Sequence, residues 1–461
     1  MRFCNVRQQS QCFSLIACIL TVSLLWSAAP KSHAQFADQS MGWTTEQEKA
    51  VSGYLTRRLQ RQGVVINDIW LEYWTNERAE HLRAASTAPM SHLSTLLIRE
   101  QSFNAFALPG NITGYNIGLW KTAETEAEFV AVMAHELAHL NLRHFSRLAD
   151  ANRQQAWLSI SGAILGIALA STNPDLAGAT FFGSQLGAAQ QRLAFSRAME
   201  TEADRFSARL LSETGYDPGA GARLFQRLQA QTSFQPGLSD YWQTHPLTST
   251  RIANMAQLED QRNGSEPAPD HHYPVLRWHL SKAHSRGESF ATAPAVYREN
   301  APTNRDDTTL FPPALLQNAE PNLLFGWLIY YQNEFSLEQY QARLSMILRL
   351  FPDFDPAYFY LAKARWQQQQ DASTCRQAIE DLGTIKATYM EVLEFRTILT
   401  KTCQPERETE ALANYYWYQG EESRAMSLLR GAISNPSGAS QLARQKQLLT
   451  TFEQQRSLLP R

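Results

Sequence analysis

The helical pattern from Ala127 to Leu148 constrains this chain more than any other stretch. Apolar residues recur along it at helical spacing, among them Phe129, Val132, Met133, Leu137 and Leu140. Inside it lies Ala134-His135-Glu136-Leu137-Ala138-His139. On a helix, His135 and His139 sit about 40° apart around the axis and one turn apart along it, so both imidazoles can reach one metal ion. Glu136 lies about 100° round from His135, where it can contact a water on that metal without being a ligand.

This is the HExxH spacing of a zinc-peptidase helix. Catalytic zinc commonly takes three protein ligands and leaves one position open. A metzincin would need Gly and then His further along the same helix, but Leu142 and Phe145 stand there, which excludes that class. His144 falls about 180° from His135 on the helical wheel and reads as structural. A second helical pattern, from Gln185 to Ser212, carries Ser196-Arg197-Ala198-Met199-Glu200-Thr201-Glu202-Ala203-Asp204 and stops at Gly215-Tyr216-Asp217-Pro218. Glu200 can supply the third ligand, and Asp204, one turn on, can fix the tautomer of a ligand imidazole. On side-chain chemistry alone Glu202 competes with Glu200, and a solvated acidic face accounts for both.

The N-terminus has its own logic. Arg2 and Arg7 precede an apolar stretch from Cys12 to Ala29, and Ser32-His33-Ala34 offers small residues at a cut before Gln35. This is the layout of a secretory signal peptide over residues 1–34, with export as its consequence. A retained anchor and a lipoprotein cut at Cys18 are the alternatives, the second weakened because the apolar run continues past Cys18. Of five cysteines, Cys4, Cys12 and Cys18 lie in that segment. Cys375 and Cys403 remain, and an even pair in an oxidising compartment reads as one disulfide.

With 42 basic and 44 acidic residues the chain lacks the basic surplus that phosphate neutralisation needs, so nucleic acid is excluded as a partner. Past residue 34, no apolar run approaches the 20 residues of a membrane span. Ala156 to Ala170, about 22 Å long as a helix, reads as a buried or site-covering helix over a membrane-touching one. Ahead of the histidine helix, Trp43 to Gln62 reads as an amphipathic helix capped by Thr44 or Thr45. Val64–Tyr73, Leu93–Ile98, Phe103–Leu108 and Tyr115–Trp120 read as short strands, and Pro109-Gly110 ends the third.

Arg262 to Asp270 (RNGSEPAPD) is a polar break. It divides a peptidase domain, residues 35–262, from a helical domain, residues 263–461. In the latter, Leu324, Trp327 and Leu328 recur about 34 residues later as Tyr358, Leu361 and Ala362, and Leu344 recurs as Ala378. A third, looser match runs from Leu412 to Pro436. This period matches tetratricopeptide (TPR) repeats, in which helix pairs stack because none buries its apolar stripe alone. The expected fold is mainly α: an α+β zincin-type peptidase domain with a small sheet, then an α-helical TPR-like solenoid.

HELAH, followed about sixty residues on by SRxxExEAD, resembles the gluzincin metallopeptidases of the HtpX and BepA group, kin to the CAAX prenyl proteases. Asn104-Ala105-Phe106-Ala107-Leu108-Pro109-Gly110 and His245-Pro246-Leu247-Thr248-Ser249-Thr250-Arg251-Ile252 extend the likeness over residues 43–258. Asn111-Ile112-Thr113-Gly114-Tyr115-Asn116 departs from it, since the family usually has a smoother Gly-rich strand entry there.

The resemblance implies one zinc ion per chain, held by His135, His139 and Glu200, with Asp204 as a supporting or proton-donating partner of the ligand set. Glu136 is then the general base. His245 either stabilises the tetrahedral oxyanion or occupies the open zinc position and keeps the protease latent. Arg251 either holds that loop or binds substrate. Phe103–Leu108 is either an edge strand that holds substrate extended or a plain core strand. With its signal peptide and repeat tail, the whole chain is similar to periplasmic members of the group that serve outer-membrane assembly. The implied partners are unfolded or stalled outer-membrane β-barrel proteins and, through the TPR-like domain, the β-barrel assembly machinery. The implied activity is a zinc metalloendopeptidase with a chaperone-like role. An assembly scaffold with a latent or silenced site is the alternative, and a membrane-embedded HtpX-type protease is disfavoured by the lack of internal spans.

Overall fold

A computed structural model describes residues 43–86, 90–148, 195–232, 241, 245–246, 248–259, 272–284, 289–302, 310–317 and 319–459. The signal peptide over 1–34, the apolar segment 156–170 and the break at 262–270 lie outside the described residues.

Thr44 opens the first helix, α1 (Thr45–Arg61), through a reciprocal capping box with Gln47. Gly63, at φ 71°, turns the chain out of it. The strand expected over 64–73 shrinks to a single bridge, Val65 to Ile98. Asp68 is the reason. Its carboxylate accepts from the N–H groups of Trp70 and Leu71 and starts α2 (Ile69–Ala85), whose Ile69, Trp70, Leu71 and Trp74 are buried at helical spacing.

Three strands follow, β1 (Ser94–Ile98), β2 (Ala105–Leu108) and β3 (Ile112–Asn116), in the order β1-β3-β2. β1 runs parallel to β3, Ser94 opposite Ile112, and β2 returns antiparallel, Leu108 opposite Ile112. The turn between β2 and β3 uses Gly110 at φ 87° and Asn111 at φ 57°. A Cβ on Gly110 would come within 2.9 Å of the Ser52 backbone nitrogen, so both conformation and close approach require glycine. β2 therefore forms an edge of the sheet. The departure at 111–116 does not disturb it, since that segment becomes the central strand. The strand expected over 115–120 starts earlier, as β3, and turns helical in α3 (Ile117–Thr122).

Thr125 caps the next helix, α4 (Glu126–Asn141), which carries the histidine motif. Glu126 and Glu128 complement its N-terminal dipole and are held by Arg78 at 2.6 Å and Arg227 at 2.5 Å. The helix expected to reach Leu148 breaks at Leu142-Arg143, where Arg143 takes φ 54°, and resumes as α5 (His144–Leu148). Ser196 caps α6 (Arg197–Glu213), which ends at Gly215, φ 80°, as its sequence suggests. α7 (Ala220–Thr232) and α8 (Ser249–Glu259) follow. α4 is packed between β2, α6 and α7, so every element bearing a site residue touches it or its neighbour α6.

The rest is helical: α9 (Tyr273–His284), α10 (Ala295–Glu299), α11 (Pro313–Gln317), α12 (Pro321–Tyr330), α13 (Leu337–Leu350), α14 (Asp355–Gln368), α15 (Ala372–Thr384), α16 (Met390–Cys403), α17 (Glu408–Tyr418), α18 (Glu422–Ser434) and α19 (Ala439–Ser457). From α12 onward each helix packs against its neighbour in sequence. Most of the recurring residues are buried: Leu324, Trp327 and Leu328 on α12, Leu361 and Ala362 on α14, Leu344 on α13 and Ala378 on α15, while Tyr358 is half-buried. Cys375 on α15 and Cys403 on α16 are disulfide-bonded. The main core is continuous from Trp43 to Leu361, and Trp70 on α2 donates to Asn322 on α12 at 2.9 Å. The fold is mainly α with one small sheet. Among the described residues no helix is long and apolar enough to cross a membrane.

Candidate metal centre

His135 and His139 leave the same face of α4, and their Nε2 atoms lie 3.0 Å apart. Glu200 reaches them from α6, with Oε2 3.3 Å from His135 Nε2 and Oε1 3.6 Å from His139 Nε2. A tetrahedral ion with bonds of about 2.0–2.1 Å holds its ligand atoms roughly 3.3–3.4 Å apart, and each histidine nitrogen lies near that distance from one of the two Glu200 oxygens. His245 joins them. Its Nδ1 is 3.2 Å from Glu200 Oε1, and one ligand atom from each of the four residues falls within 4.8 Å of the others. All four side chains are buried.

The electrostatics favour a cation. Burial pushes the Glu200 pKa up, but the adjacent His245 and His135 rings outweigh it and keep the carboxyl well below its ordinary range. Burial lowers the pKa of His135, yet the Asp204 and Glu200 carboxylates prevail and push it up to about 10, a measure of the negative charge facing that ring. Burial holds His139 well below its ordinary value and so neutral. Two imidazole nitrogens and a carboxylate oxygen form a donor set for a divalent ion.

Glu136 points into the same space and is fully buried. Burial is the main cause of its raised pKa. Its Oε1 accepts from the Tyr241 hydroxyl at 3.5 Å and lies 3.6 Å from His245 Nε2, while its Oε2 has no hydrogen-bond partner among the described residues. An orphaned buried carboxylate oxygen costs free energy unless a ligand satisfies it.

A further set of contacts orients the ligands. Asp204 Oδ1 sits 3.1 Å from His135 Nδ1. Arg251 grips Asp204 with Nε at 2.7 Å and Nη2 at 2.8 Å, and its Nη1 donates to the Pro246 carbonyl at 3.0 Å. Arg251 thus ties the His245 loop to α6. Glu202, the rival of Glu200 in the sequence, is turned away and pairs with Arg147 at 2.6 Å. Three residues of the site carry no obvious sequence signal. Tyr241 stacks on His245 at 4.6 Å between centroids, Phe195 stacks on His139 at 3.9 Å, and His144 meets His139. Only Tyr241 was discoverable, as the residue four before His245 and so on the same face of one helical turn.

The model of peptidase family M48 matches residues 70–259, from α2 to the end of α8. The chain carries an M48 peptidase domain. The beta-barrel assembly-enhancing protease of Escherichia coli (strain K12) is 28% identical over 256 residues, 54% of this chain and 52% of that protein. The protein of the same name from Yersinia pestis is 26% identical over 250 residues, 54% of this chain and 51% of its own. The mitochondrial metalloendopeptidase OMA1 of Arabidopsis thaliana is 29% identical over 217 residues, 46% of this chain and 41% of its own. The chain spans about half the length of the two beta-barrel assembly-enhancing proteases. All residues of the cluster, and Glu136, Asp204 and Arg251 beside it, fall inside the M48 match.

Proposed function

We propose that the chain is a periplasmic zinc-dependent endopeptidase acting on unfolded or stalled outer-membrane β-barrel proteins. Its TPR-like helices, residues 263–461, dock it on the assembly machinery, and it has a chaperone-like role beside its proteolytic one. The observation that carries the reading is the convergence of His135, His139 and Glu200 beside a buried carboxylate, Glu136, that is not needed to complete the ligand set. The M48 match and the name borne by the Escherichia coli and Yersinia pestis relatives support the peptidase class and the substrate class. Export rests on the layout of residues 1–34.

When bound, zinc would polarise the scissile carbonyl and acidify water. The residues around it do the rest. Glu136 takes the water proton on its free Oε2 and returns it to the leaving amine, a task suited to a carboxylate whose pKa is raised by burial. Asp204, itself held by Arg251, fixes His135 with its proton on Nδ1 and its lone pair on Nε2. β2, at the sheet edge against α4, offers main-chain groups to an extended substrate. His245 is a latch in this reading: its ring stands between Glu200 and Glu136, in the space a substrate carbonyl needs.

A scaffold with a silenced site is the second reading, and Glu136 argues against it, since a purely structural ion needs no buried base. The deciding experiment is Glu136→Gln on the purified exported protein. The expected result is one zinc per chain retained and casein cleavage lost. Cleavage at the wild-type rate would refute the assignment.

A further inference from the structure

α5 begins with His144, a residue that a helical wheel sets opposite the metal-facing side of α4. The break at Leu142-Arg143 cancels that wheel. Arg143 takes a left-handed conformation, φ 54°, and the turn it makes brings His144 back against His139. The two Nδ1 atoms lie 2.8 Å apart, and both rings are fully buried.

We propose that His144 and Glu202 are positioning residues that set the tautomer and orientation of His139. The inference rests on the zinc reading above and follows from proton accounting. A neutral imidazole that offers Nε2 to a metal carries its proton on Nδ1. His139 Nε2 faces Glu200 and His135, so its Nδ1–H donates to His144 Nδ1. His144 accepts there and so carries its own proton on Nε2. That nitrogen faces Glu202 Oε2 at 3.4 Å, and Arg147 Nη1 donates to the same oxygen at 2.6 Å. Every proton in the chain His139–His144–Glu202 has one place. The arrangement gives Glu202, half-exposed at the far end, a role distinct from that of Glu200. It also makes the two ligand histidines unlike. His135 is held by a carboxylate, His139 by a second imidazole whose acceptor lone pair exists only while His144 keeps its proton on Nε2.

The test is the zinc dissociation constant of the full exported chain, measured by competition with a chromophoric chelator, beside the thermal melt of the metal-free protein. His144→Leu keeps bulk and removes the acceptor, and its expected zinc affinity is about 10–100-fold weaker than wild type. His144→Asn places an amide oxygen near the Nδ1 position and is expected to recover most of that loss, which a purely space-filling role would not allow. Glu202→Ala, at an exposed position, is expected to weaken zinc binding several-fold without moving the metal-free melt. Wild-type affinity in both His144→Leu and Glu202→Ala would overturn the proposal, and so would an Asn variant as weak as the Leu variant. If His144→Leu does not fold, Glu202→Ala decides alone. A wild-type protein that binds no zinc overturns the metallopeptidase reading as well, whereas variants that match a zinc-binding wild type overturn this inference only.

Discussion

Asp204 Oδ1 lies 3.1 Å from His135 Nδ1 while Arg251 holds the same carboxylate by two nitrogens, so one side chain joins the metal-facing helix to the His245 loop. Both Asp204 and Arg251 are buried. Removing one partner of a buried pair leaves a charge without compensation, at a cost of about 3–5 kcal/mol. Arg251 keeps two contacts of Nη1, to Glu200 Oε2 at 2.7 Å and to the Pro246 carbonyl at 3.0 Å, so the low end applies. Asp204→Ala is expected to lower the unfolding free energy of the metal-free protein by about 3 kcal/mol in urea titration. The same variant is expected to weaken zinc binding about 10–100-fold. An unchanged urea midpoint would mean that Arg251 is satisfied without Asp204.

A second prediction concerns the seam between α2 and α16. Glu391 accepts from the Ile69 N–H at 2.7 Å. Burial, then the Asp68 charge, push its pKa from 4.5 up to about 7, against the opposing effect of the Ile69 bond. The folded protein therefore keeps a proton that the unfolded chain has released. This contribution is complete below the unfolded value and is lost as pH rises through about 7. Glu391→Gln keeps an acceptor for Ile69 and cannot ionise. It should be more stable than wild type at pH 8, by up to about 3 kcal/mol, and indistinguishable from it near pH 4. A stability difference that stays constant across this range would show that Glu391 ionises as freely as an exposed glutamate.

The Cys375–Cys403 bond spans 28 residues and ties α15 to α16. Closing a loop of that size restricts the unfolded chain by about 3–4 kcal/mol in the chain-entropy model. The double variant Cys375→Ser, Cys403→Ser should lose about that much in guanidinium unfolding. Zinc content and casein cleavage at 25 °C should hold, since both cysteines belong to an apolar cluster that includes none of the site residues. Loss of zinc on reduction would mean that the repeat helices support the metal site directly.

What the sequence made legible follows from how local each feature is. His135, Glu136 and His139 were readable because one helix sets their geometry, and the cap at Thr44 because a cap is a contact of three residues; Ser196, which caps its helix inside a stretch expected to be helical from Gln185, was not. The Glu200–Glu202 ambiguity could not be resolved locally, since both lie on one helix and only its packing against α4 decides which faces the histidines. The strand expected over 64–73 failed because β-branched and aromatic residues were weighed above Asp68, whose capping bonds commit the following turn to helix. His144 departs from its wheel position for a related reason. The wheel assumes an unbroken helix, and nothing in Leu142-Arg143 announces a left-handed turn. Phe195 reaches the site only through tertiary packing.

The last prediction tests the latch. His245 meets Glu200 at 3.2 Å and lies 3.6 Å from Glu136, and Tyr241 stacks on its outer face with centroids 4.6 Å apart. In the proposed latch role, an imidazole so placed leaves before a peptide carbonyl can approach the site. Its removal therefore acts in opposite directions under the two roles open to it. As a latch, His245→Ala opens the site and basal casein cleavage rises several-fold. As an oxyanion donor, the same change removes a hydrogen bond made in the transition state and cleavage falls about 100-fold or more. Tyr241→Phe separates the contributions further. It keeps the stacking and removes only the hydroxyl facing Glu136, so the latch holds and basal cleavage should stay low. Zinc content of each variant, measured alongside, ensures that a fall in cleavage reflects chemistry and not metal loss. The expected outcome is a rise for His245→Ala with zinc retained, and a fall at full zinc occupancy would assign His245 to the oxyanion instead.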